Sequence, residues 1–321
     1  FAQRARRDIV RTVAEQGLTQ VLSYPFVGDI YDRLELPADD ERRQAVRIAN
    51  PLADDAPLLR TSVLDSLIDV AVRNVSRGIG DVALYEVGDV TTSAGVVPAP
   101  IPGVAQRPSQ AEIEALAAGT PRQRLHLGAI LCGQHGYSGV LQHVRNWDWA
   151  DAVDVVRTVA STLGVEIEVS APERPCAPWH PGRTAEICLT GRRRGKEIEP
   201  GTLVAHAGEL HPRVVRALGL PERACAVEID LDPLLEAARS VGALQVKPVT
   251  TFPAAKEDIA LVVDEAITAA QVEDLVRQAA GDLAEEVRLF DVFRGAQLGE
   301  GKKSLAVPLV LRAPARTPTP E

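Results

Sequence analysis

Histidine and glutamate side chains that can bind a metal occur near two proline turns. His180 and His211 each precede a proline, and Glu209 lies two positions before His211. Such a His–Glu–His set can ligate a divalent cation, but a turn histidine is more often hydrogen-bonded to backbone groups, and we prefer that interpretation. The cysteines stand singly, without a Cys-x-x-Cys pair, so the sequence predicts reduced, mostly buried thiols and no metal site. They are Cys132, Cys176, Cys188 and Cys225.

An aromatic residue in the last quarter of the chain offers a second kind of chemistry. The segment LFDVFRG, which begins at Leu289, has the character of a strand, and a period of two puts Leu289, Asp291 and Phe293 on one face. Phe290 and Val292 are then expected to point toward a helix. Because an exposed ring can stack on an unpaired nucleobase, worth about 1–3 kcal/mol, Phe293 is the first candidate for a binding residue. The alternative is an ordinary sheet aromatic in a packed interface.

Polar and basic residues around Phe293 would complete such a binding surface. Asp291 can accept hydrogen bonds from a guanine edge, and a serine hydroxyl on the adjacent strand can add another. The remaining candidates, this serine and the cations that would hold phosphates, are Ser304, Lys256, Arg294, Lys302 and Lys303. For each cation, a solvated hairpin charge is the alternative. From Lys247 onward, 9 Lys and Arg against 12 Asp and Glu give a net charge of −3, which predicts a modest salt dependence of binding.

The composition is that of an ordinary globular chain with room for two domains. Its 321 residues carry a net charge of −9, which argues against a generally basic nucleic-acid coat but leaves a local patch open. No apolar run reaches the length of a bilayer span and no signal peptide is visible, so we expect a cytoplasmic protein without a membrane partner. Methionine is absent, even from position 1, which indicates a piece of a longer or processed polypeptide.

Helical and strand patterns follow one another without a regular βαβ order. Hydrophobic spacing predicts amphipathic helices near residues 2–16, 63–75 and 148–163, among strands and hairpins that favour an α+β fold with a mainly antiparallel sheet. A Gly-containing segment at 241–246 marks a boundary between a first domain, residues 1–245, and a second, residues 246–321. The second is predicted as strand 258–263, helix 268–280 and strands 287–293 and 304–311. This is a truncated ferredoxin-like βαββ domain, incomplete by one helix and one strand.

Several short segments occur in an order shared with one known family. The landmarks are LSYPFV from Leu22, NPL from Asn50, LLRTSVLDSLIDVAVRN from Leu58, LYEVGDV from Leu84, WHPGRTAEI from Trp179, GELHPRVV from Gly208, KPVTTFPAAKEDIALVV from Lys247, RLFDVFRG from Arg288 and GEGKKSLAVPLVLR from Gly299. Each is only moderately specific, but their order and spacing make chance a poor explanation. Over almost its whole length the chain resembles the carboxy-terminal part of the β subunit of bacterial phenylalanyl-tRNA synthetases.

The resemblance implies that the first domain is a non-catalytic class II synthetase-like module, an antiparallel sheet with helices. In this family the active site is on a separate α subunit, the assembly is an α2β2 tetramer, and ATP and magnesium serve the holoenzyme. A working class II site needs an Arg-x-Glu arrangement to hold ATP phosphates. The comparable strand here has Glu86 but no arginine, and is followed by Asp89 and Val90. No catalytic residue, cofactor or metal is therefore assigned to this chain.

The resemblance also implies two partners. The second domain would bind the anticodon of tRNA-Phe, with Phe293 as the stacking residue, and the first would support assembly with the α subunit. The residues assigned to that subunit interface are Arg60, Thr61, Leu64 and Leu67; for the apolar ones internal core is the alternative, and a residue can serve both. Two other functions stay open. One is an interaction protein on a degenerate synthetase scaffold without tRNA binding, and the other is an active ligase or acyltransferase on that scaffold.

Overall fold

The computed structural model divides the chain into two compact units, Phe1–Ala243 and Leu244–Glu321. It describes residues 1–93, 97–136, 139–140, 144–190, 192–193, 196–197, 201–240 and 250–313. The domain boundary predicted between residues 245 and 246, with the 241–246 segment around it, lies outside the described residues. Each unit has a hydrophobic core of its own.

The first unit contains helices interspersed with strands. Its helices are α1 (Ala2–Glu15), α2 (Val63–Ser76), α3 (Gln110–Ala118), α4 (Trp149–Leu163), α5 (Pro212–Leu218) and α6 (Leu231–Ser240). Its strands are β1 (Thr19–Gln20), β2 (Phe26–Val27), β3 (Leu58–Leu59), β4 (Val82–Thr92), β5 (Arg122–Cys132), β6 (Gln134–His135), β7 (Arg145–Asn146), β8 (Ile167–Ser170), β9 (Trp179–Leu189), β10 (Arg192–Arg193), β11 (Lys196–Glu197), β12 (Leu203–Leu210) and β13 (Cys225–Asp230). The three helices predicted for this unit are confirmed as α1, α2 and α4.

The central sheet of the first unit is mainly antiparallel. Within the described ranges it has seven strands in the order β1-β4-β5-β13-β12-β9-β8. Strand β1 runs parallel to β4, and the other neighbouring pairs of this sheet are antiparallel. The pairing of β4 with β5 continues from Val82 opposite Cys132 to Thr92 opposite Arg122 without a register shift. This arrangement confirms the predicted α+β class.

Hydrophobic layers cover both faces of this sheet. Side chains of β5 alternate between the layers: Leu127, Ala129 and Leu131 pack with α1, α4 and α6. Ile130 and Cys132 pack on the other face with α2 and α5. Burial on both sides stabilises the sheet by roughly 25 cal/mol for each Å² of apolar surface removed from water. Polar side chains enclosed between sheet and helices therefore need partners of their own.

Helix α2 begins with a capping box that holds its first residues inside the unit. The Ser62 hydroxyl accepts the N–H of Leu64 at 3.0 Å, and the Asp65 carboxylate accepts the N–H groups of Thr61 and Ser62 at 3.2 and 3.1 Å. These contacts satisfy donors that the first helical turn leaves unpaired. Leu64 and Leu67 then pack into the layer beneath the helix. The capping hydrogen bonds and the packing of Leu64 and Leu67 together fix the start of α2 against the sheet.

The second unit is a small sheet with a helix on one side. Its described helix is α7 (Ala269–Ala280), and its strands are β14 (Ala255–Asp264), β15 (Ala284–Val287), β16 (Asp291–Phe293) and β17 (Lys302–Leu311). Strand β17 is central: it pairs antiparallel with β14 on one side and with β15 and β16 on the other. Across the described residues of both units, no helix is long and apolar enough to cross a membrane.

The strand predicted over residues 287–293 is interrupted. The chain forms the two short strands β15 and β16, with residues 288–290 between them. The pairing of β15 with β17 also shifts register between Ala284 and Glu286. A single continuous strand was therefore the wrong prediction here, and the interruption changes which side chains are exposed.

Candidate nucleic-acid interface

The sheet of the second unit has one face that does not pack against α7. Along β17, Leu305, Val307 and Leu309 enter the core, so the residues between them face the opposite way. We call this second surface the open face. Its side chains on β14, β16 and β17 are Lys256, Asp258, Ala260, Val262, Asp264, Asp291, Phe293, Lys302, Ser304, Ala306, Pro308 and Val310.

Phe293 lies in a cross-strand row on the open face. It pairs with Ser304 of β17, which in turn pairs with Val262 of β14. The side chain is 43% exposed. Its ring leans over Gly295, where an added Cβ would lie 2.7 Å from the ring. Glycine at 295 therefore preserves the position of the ring, which a larger residue would displace.

Asp291 and Ser304 lie beside the Phe293 ring. Asp291 pairs with Ala306, in the row next to that of Phe293. Its Oδ1 accepts the N–H of Val292 at 2.9 Å, and the carboxylate is exposed to solvent. The structure thus brings an aromatic ring, a carboxylate and a hydroxyl together on one sheet face.

The predicted lysines divide between the two faces of the sheet. Lys302 lies on the open face, about 7 Å along β17 from Ser304. Lys256 lies at the other end of β14, about 20 Å from the Ser304 row, which is too far to contact the same nucleotide. Lys303 is buried on the helix side, where its Nζ donates to the backbone oxygen of Glu265 at 2.8 Å. This burial contradicts the prediction that Lys303 belongs to the binding surface.

Arg294 is held in an ion pair at the surface. Its Nε lies 3.1 Å from Oε2 of Glu265, and its Nη2 lies 2.6 Å from Oε1. The hydrogen bond from Arg294 lowers the pKa of the Glu265 carboxyl. A phosphate would have to compete with this carboxylate for the guanidinium. Lys302 is therefore the predicted cation best placed to act beside Phe293.

A second exposed aromatic, Phe290, was missed by the sequence alternation. It lies in the break between β15 and β16, is 76% exposed, and donates its N–H to the oxygen of Ala306 at 2.8 Å. Leu289 instead packs against the core with Val292. The predicted faces of Leu289 and Phe290 were both wrong, because a period of two fails where the strand is interrupted. Its aromatic side chain was the only local sign that Phe290 could belong to a binding surface.

The residues predicted for a subunit interface are enclosed within the first unit. Arg60 is 3% exposed, and Thr61, Leu64 and Leu67 are buried as well. The leucines pack in the layer under α2, and the Thr61 hydroxyl donates to the backbone oxygen of Arg42 at 2.8 Å. Their own chain already covers these four residues, so they offer almost no surface to a partner. Internal core, the alternative for the apolar residues, describes Leu64 and Leu67.

Strand β4 has no arginine of its own near Glu86, but Arg60 brings a guanidinium to that position. This guanidinium is buried in an ion pair with Glu86. Its Nη1 lies 2.8 Å from Oε1 of Glu86 and 2.7 Å from the Ser66 hydroxyl. Its Nε donates to the backbone oxygen of Asp89 at 3.0 Å. A Cβ at Gly88 would lie 2.0 Å from the guanidinium, so glycine is needed there to make room for it. Buried against Glu86, this guanidinium is not available to a nucleotide phosphate.

The histidines at the proline turns are bonded to backbone. His180 and His211 each accept, at Nδ1, the N–H of the second residue beyond them, at 3.0 and 3.2 Å. Glu209 is held by the guanidinium groups of Arg183 and Arg223, each at 2.8 Å. The preferred turn interpretation is confirmed. Glu209 serves the two arginines rather than a His–Glu–His metal site.

A cluster of buried acids joins α2 to the sheet. Glu228 of β13 accepts the Ser62 hydroxyl at 2.6 Å and lies 3.0 Å from Nδ1 of His126. Burial opposes ionisation of Glu228, but the hydrogen bond and charge of His126 hold its pKa below the usual value. Burial, followed by the charge of Glu228, raises the pKa of Asp65 to about 7. The first turn of α2 therefore contains an acid that titrates near neutrality.

Comparison with known proteins accounts for both units. A family model described as the phenylalanyl tRNA synthetase beta chain CLM domain matches residues 1–231, and a ferredoxin-fold anticodon binding domain matches residues 250–321. The fold is thus that of an aminoacyl-tRNA synthetase chain with a ferredoxin-fold anticodon-binding domain. With both matches together, the chain belongs to the phenylalanyl-tRNA synthetase β-chain family. The resemblance drawn from the landmark segments is confirmed.

Curated relatives match along nearly the whole chain. The phenylalanine–tRNA ligase beta subunit of Thermobifida fusca is 49% identical over 322 residues, covering 99% of this chain and 37% of the relative. Those of Corynebacterium efficiens and Streptomyces avermitilis are 42% and 41% identical, covering 100% and 99% of this chain and 36% and 37% of the relatives. The chain therefore spans a little more than a third of the length of the relatives it matches.

Proposed function

We propose that this chain is the part of a phenylalanine–tRNA ligase β subunit that binds the anticodon of tRNA-Phe and supports assembly with an α subunit in the cytoplasm. One observation supports anticodon binding: the exposed Phe293 ring lies on a sheet face that no helix of the described residues covers, in a row with Ser304 and next to Asp291. The match of residues 250–321 to an anticodon-binding fold supports the same surface.

Binding on the open face would combine stacking with polar recognition. An unpaired anticodon base stacks on the Phe293 ring, as bases splayed from single-stranded RNA do on aromatic side chains. The Asp291 carboxylate then accepts hydrogen bonds from the edge of a guanine, with the Ser304 hydroxyl beside it. Lys302, one row further along β17, lies within reach of a neighbouring phosphate. Exposed Phe290, in the break before β16, offers the RNA a second aromatic ring.

The surface proposed for assembly is the apolar segment of residues 22–26. Leu22 and Tyr24 are 93% and 82% exposed, and the rings of Tyr24 and Phe26 stack with their centroids 6.5 Å apart. Contiguous exposed apolar side chains commonly mark protein–protein contacts. The contact with an α subunit is therefore assigned to this segment, in place of the buried residues around Arg60.

Chemistry is assigned to the α subunit of an α2β2 assembly. ATP and magnesium would bind there, because the arginine beside Glu86 in this chain is enclosed by an ion pair. The first unit then acts as a scaffold, and the second as the part that recognises tRNA. The ligation of phenylalanine to its tRNA is a property of the whole assembly.

Replacing the stacking ring tests the anticodon assignment. Phe293→Ala should weaken binding of tRNA-Phe about 5- to 150-fold, the equivalent of losing about 1–3 kcal/mol of base stacking. Fluorescence anisotropy measures the dissociation constant, with tRNA-Phe and a tRNA of different anticodon compared side by side. The unmodified chain should prefer tRNA-Phe, and the variant should lose most of that preference.

Phe252→Ala is the matched control. Phe252 is also an exposed phenylalanine of the second unit, but it lies before β14, whose first residue pairs with Leu311, roughly 23 Å along β17 from the Phe293 row. Its replacement should leave both tRNA affinities unchanged. Equal binding of both tRNAs by a chain with native circular dichroism would reject the proposal and favour an interaction protein without tRNA binding.

A further inference from the structure

Three side chains of the first unit that can bind a metal meet on one part of the central sheet. Cys176 precedes β9, Glu186 lies on β9, and His206 is its register partner on β12. The thiol sulfur, a carboxylate oxygen and a ring nitrogen all lie within 4.8 Å of one another. Nε2 of His206 and Oε1 of Glu186 are 3.6 Å apart. These residues have no part in the surface proposed for tRNA.

The cluster borders a cavity of about 280 Å³. Cys176 and His206 line this cavity together with Trp179. The Trp179 ring stacks against the imidazole of His206, with centroids 6.0 Å apart and planes inclined by 18°. The contact helps to fix the orientation of the imidazole beside the cavity. The cavity has room for an ion and its water ligand.

We propose that Cys176, Glu186 and His206 bind a zinc ion, with water as the fourth ligand. Thiolate, imidazole and carboxylate are all zinc ligands, whereas the sulfur disfavours magnesium and calcium. At zinc–ligand distances of about 2.0–2.3 Å, tetrahedral ligands lie roughly 3.3–3.7 Å apart. The imidazole and carboxylate atoms are 3.6 Å apart, and the thiol sulfur, which lies within 4.8 Å of both, needs to approach by no more than about 1.5 Å.

The charges of the site balance when the ion binds. The thiol gives up its proton to bulk water, so one thiolate and one carboxylate neutralise the two charges of zinc. The unprotonated ring nitrogen of His206 adds a neutral ligand to this charge-balanced set. Arg42, on the cavity wall, opposes a cation, but Asp40 holds its guanidinium at 2.7 Å and a backbone oxygen holds it at 2.8 Å. Glu228 and Asp230 on the same wall offset its charge.

Cobalt binding to the 321-residue chain gives a direct test, because a thiolate bound to Co²⁺ absorbs in the near ultraviolet. After chelator treatment, Co²⁺ should produce this sulfur-to-cobalt band, and an equimolar amount of Zn²⁺ should remove it. Cys176→Ser should abolish the band and weaken zinc binding, measured by calorimetry, more than about 10-fold. His206→Gln should weaken zinc binding to a similar degree.

Cys188→Ser is the matched control. Cys188 is another half-buried thiol on β9, two residues beyond Glu186, and lies outside the metal-binding cluster. Its replacement should leave the cobalt band and the zinc affinity unchanged. Absence of the band from the unmodified chain would overturn the proposal. Equal effects of Cys176→Ser and Cys188→Ser, or a His206→Gln chain of native circular dichroism with full zinc affinity, would overturn it as well.

Discussion

At the scale of single residues, the ion pair between Arg60 and Glu86 organises the interior beside β4. Both side chains are almost fully buried, and the guanidinium also contacts Ser66 and the backbone of Asp89. In such an environment each charge depends on the other, because water is not available to replace a lost partner. The pair therefore holds the segment before α2 against the strand.

Removing the guanidinium alone should be costly. Arg60→Met should lower the free energy of unfolding by about 3–5 kcal/mol, because Glu86 would remain buried without its partner. Urea unfolding followed by circular dichroism measures the change. The double replacement of Arg60 by Met and Glu86 by Leu should recover most of the loss.

An exposed ion pair provides the comparison for this measurement. Arg213 lies 2.9 Å from Glu35, with its side chain 66% exposed, so Arg213→Met should cost less than about 1 kcal/mol. A similar small cost for Arg60→Met would show that the buried pair does not hold the segment.

Residue roles set by near neighbours could be predicted from sequence, and roles set by distant partners could not. The backbone contacts of His180 and His211 span only two residues, so the proline turns themselves indicated them. The partner of Arg60 lies on a strand beyond α2, and no local spacing connects the two. Cys176, Glu186 and His206 were missed for the same reason, because they meet only through the pairing of β9 with β12.

At the scale of elements, the start of α2 contains a proton-binding group. The pKa of Asp65 rises from an ordinary 3.8 to about 7, first through burial and then through the charge of Glu228. The folded chain therefore binds this proton more tightly than the unfolded chain. Its contribution to stability is complete below about pH 4 and is lost as the pH rises through 7.

Asp65→Asn should remove this part of the pH dependence. The difference in free energy of unfolding, unmodified chain minus variant, should fall by a few kcal/mol between pH 4 and pH 7, at about 1.4 kcal/mol for each unit of pKa shift. Urea unfolding at a series of pH values measures it. The variant keeps His126 and Glu228, so most of their own titration cancels in the difference. Parallel pH profiles for the two chains would contradict the prediction.

The elements of the second unit show where hydrophobic alternation succeeds and where it fails. Asp291 and Phe293 lie on the predicted face, because β16 is a regular strand paired with β17. Leu289 and Phe290 do not, because the chain leaves the ladder between β15 and β16. The interruption reverses the predicted sheet face of the residues that precede β16 in the predicted strand. Its cause is the pairing with β17, which comes later in the chain.

At the scale of the whole molecule, net charge gives RNA no general attraction. The chain carries −9, so the proposed binding depends on a few placed cations rather than on a basic surface. The family could be identified from sequence, because the order of the landmark segments can be read directly along the chain. The face of the sheet on which each cation lies could not be predicted in this way, because it depends on how the strands pair.

Lys302→Gln should reduce the salt dependence of tRNA binding. Loss of one phosphate contact to a single-stranded loop should lower the slope of log affinity against log salt by about 0.7. Titrations of tRNA-Phe at several salt concentrations measure the slope. Lys256→Gln, about 20 Å from the Ser304 row, should have a smaller effect. Equal reductions by both variants would contradict a phosphate path beside Phe293.

The stacking of Trp179 on His206 gives the chain an optical property as well as a structural one. Trp147, Trp149 and Trp179 supply all the indole emission of this sequence, and all belong to the first unit. An imidazole quenches a neighbouring indole more strongly when it is protonated, so a change of charge at His206 alters the emission of Trp179. Events in the adjoining cavity should therefore change the emission of Trp179, and a Trp179→Phe variant separates this signal from that of Trp147, which lies beside His135.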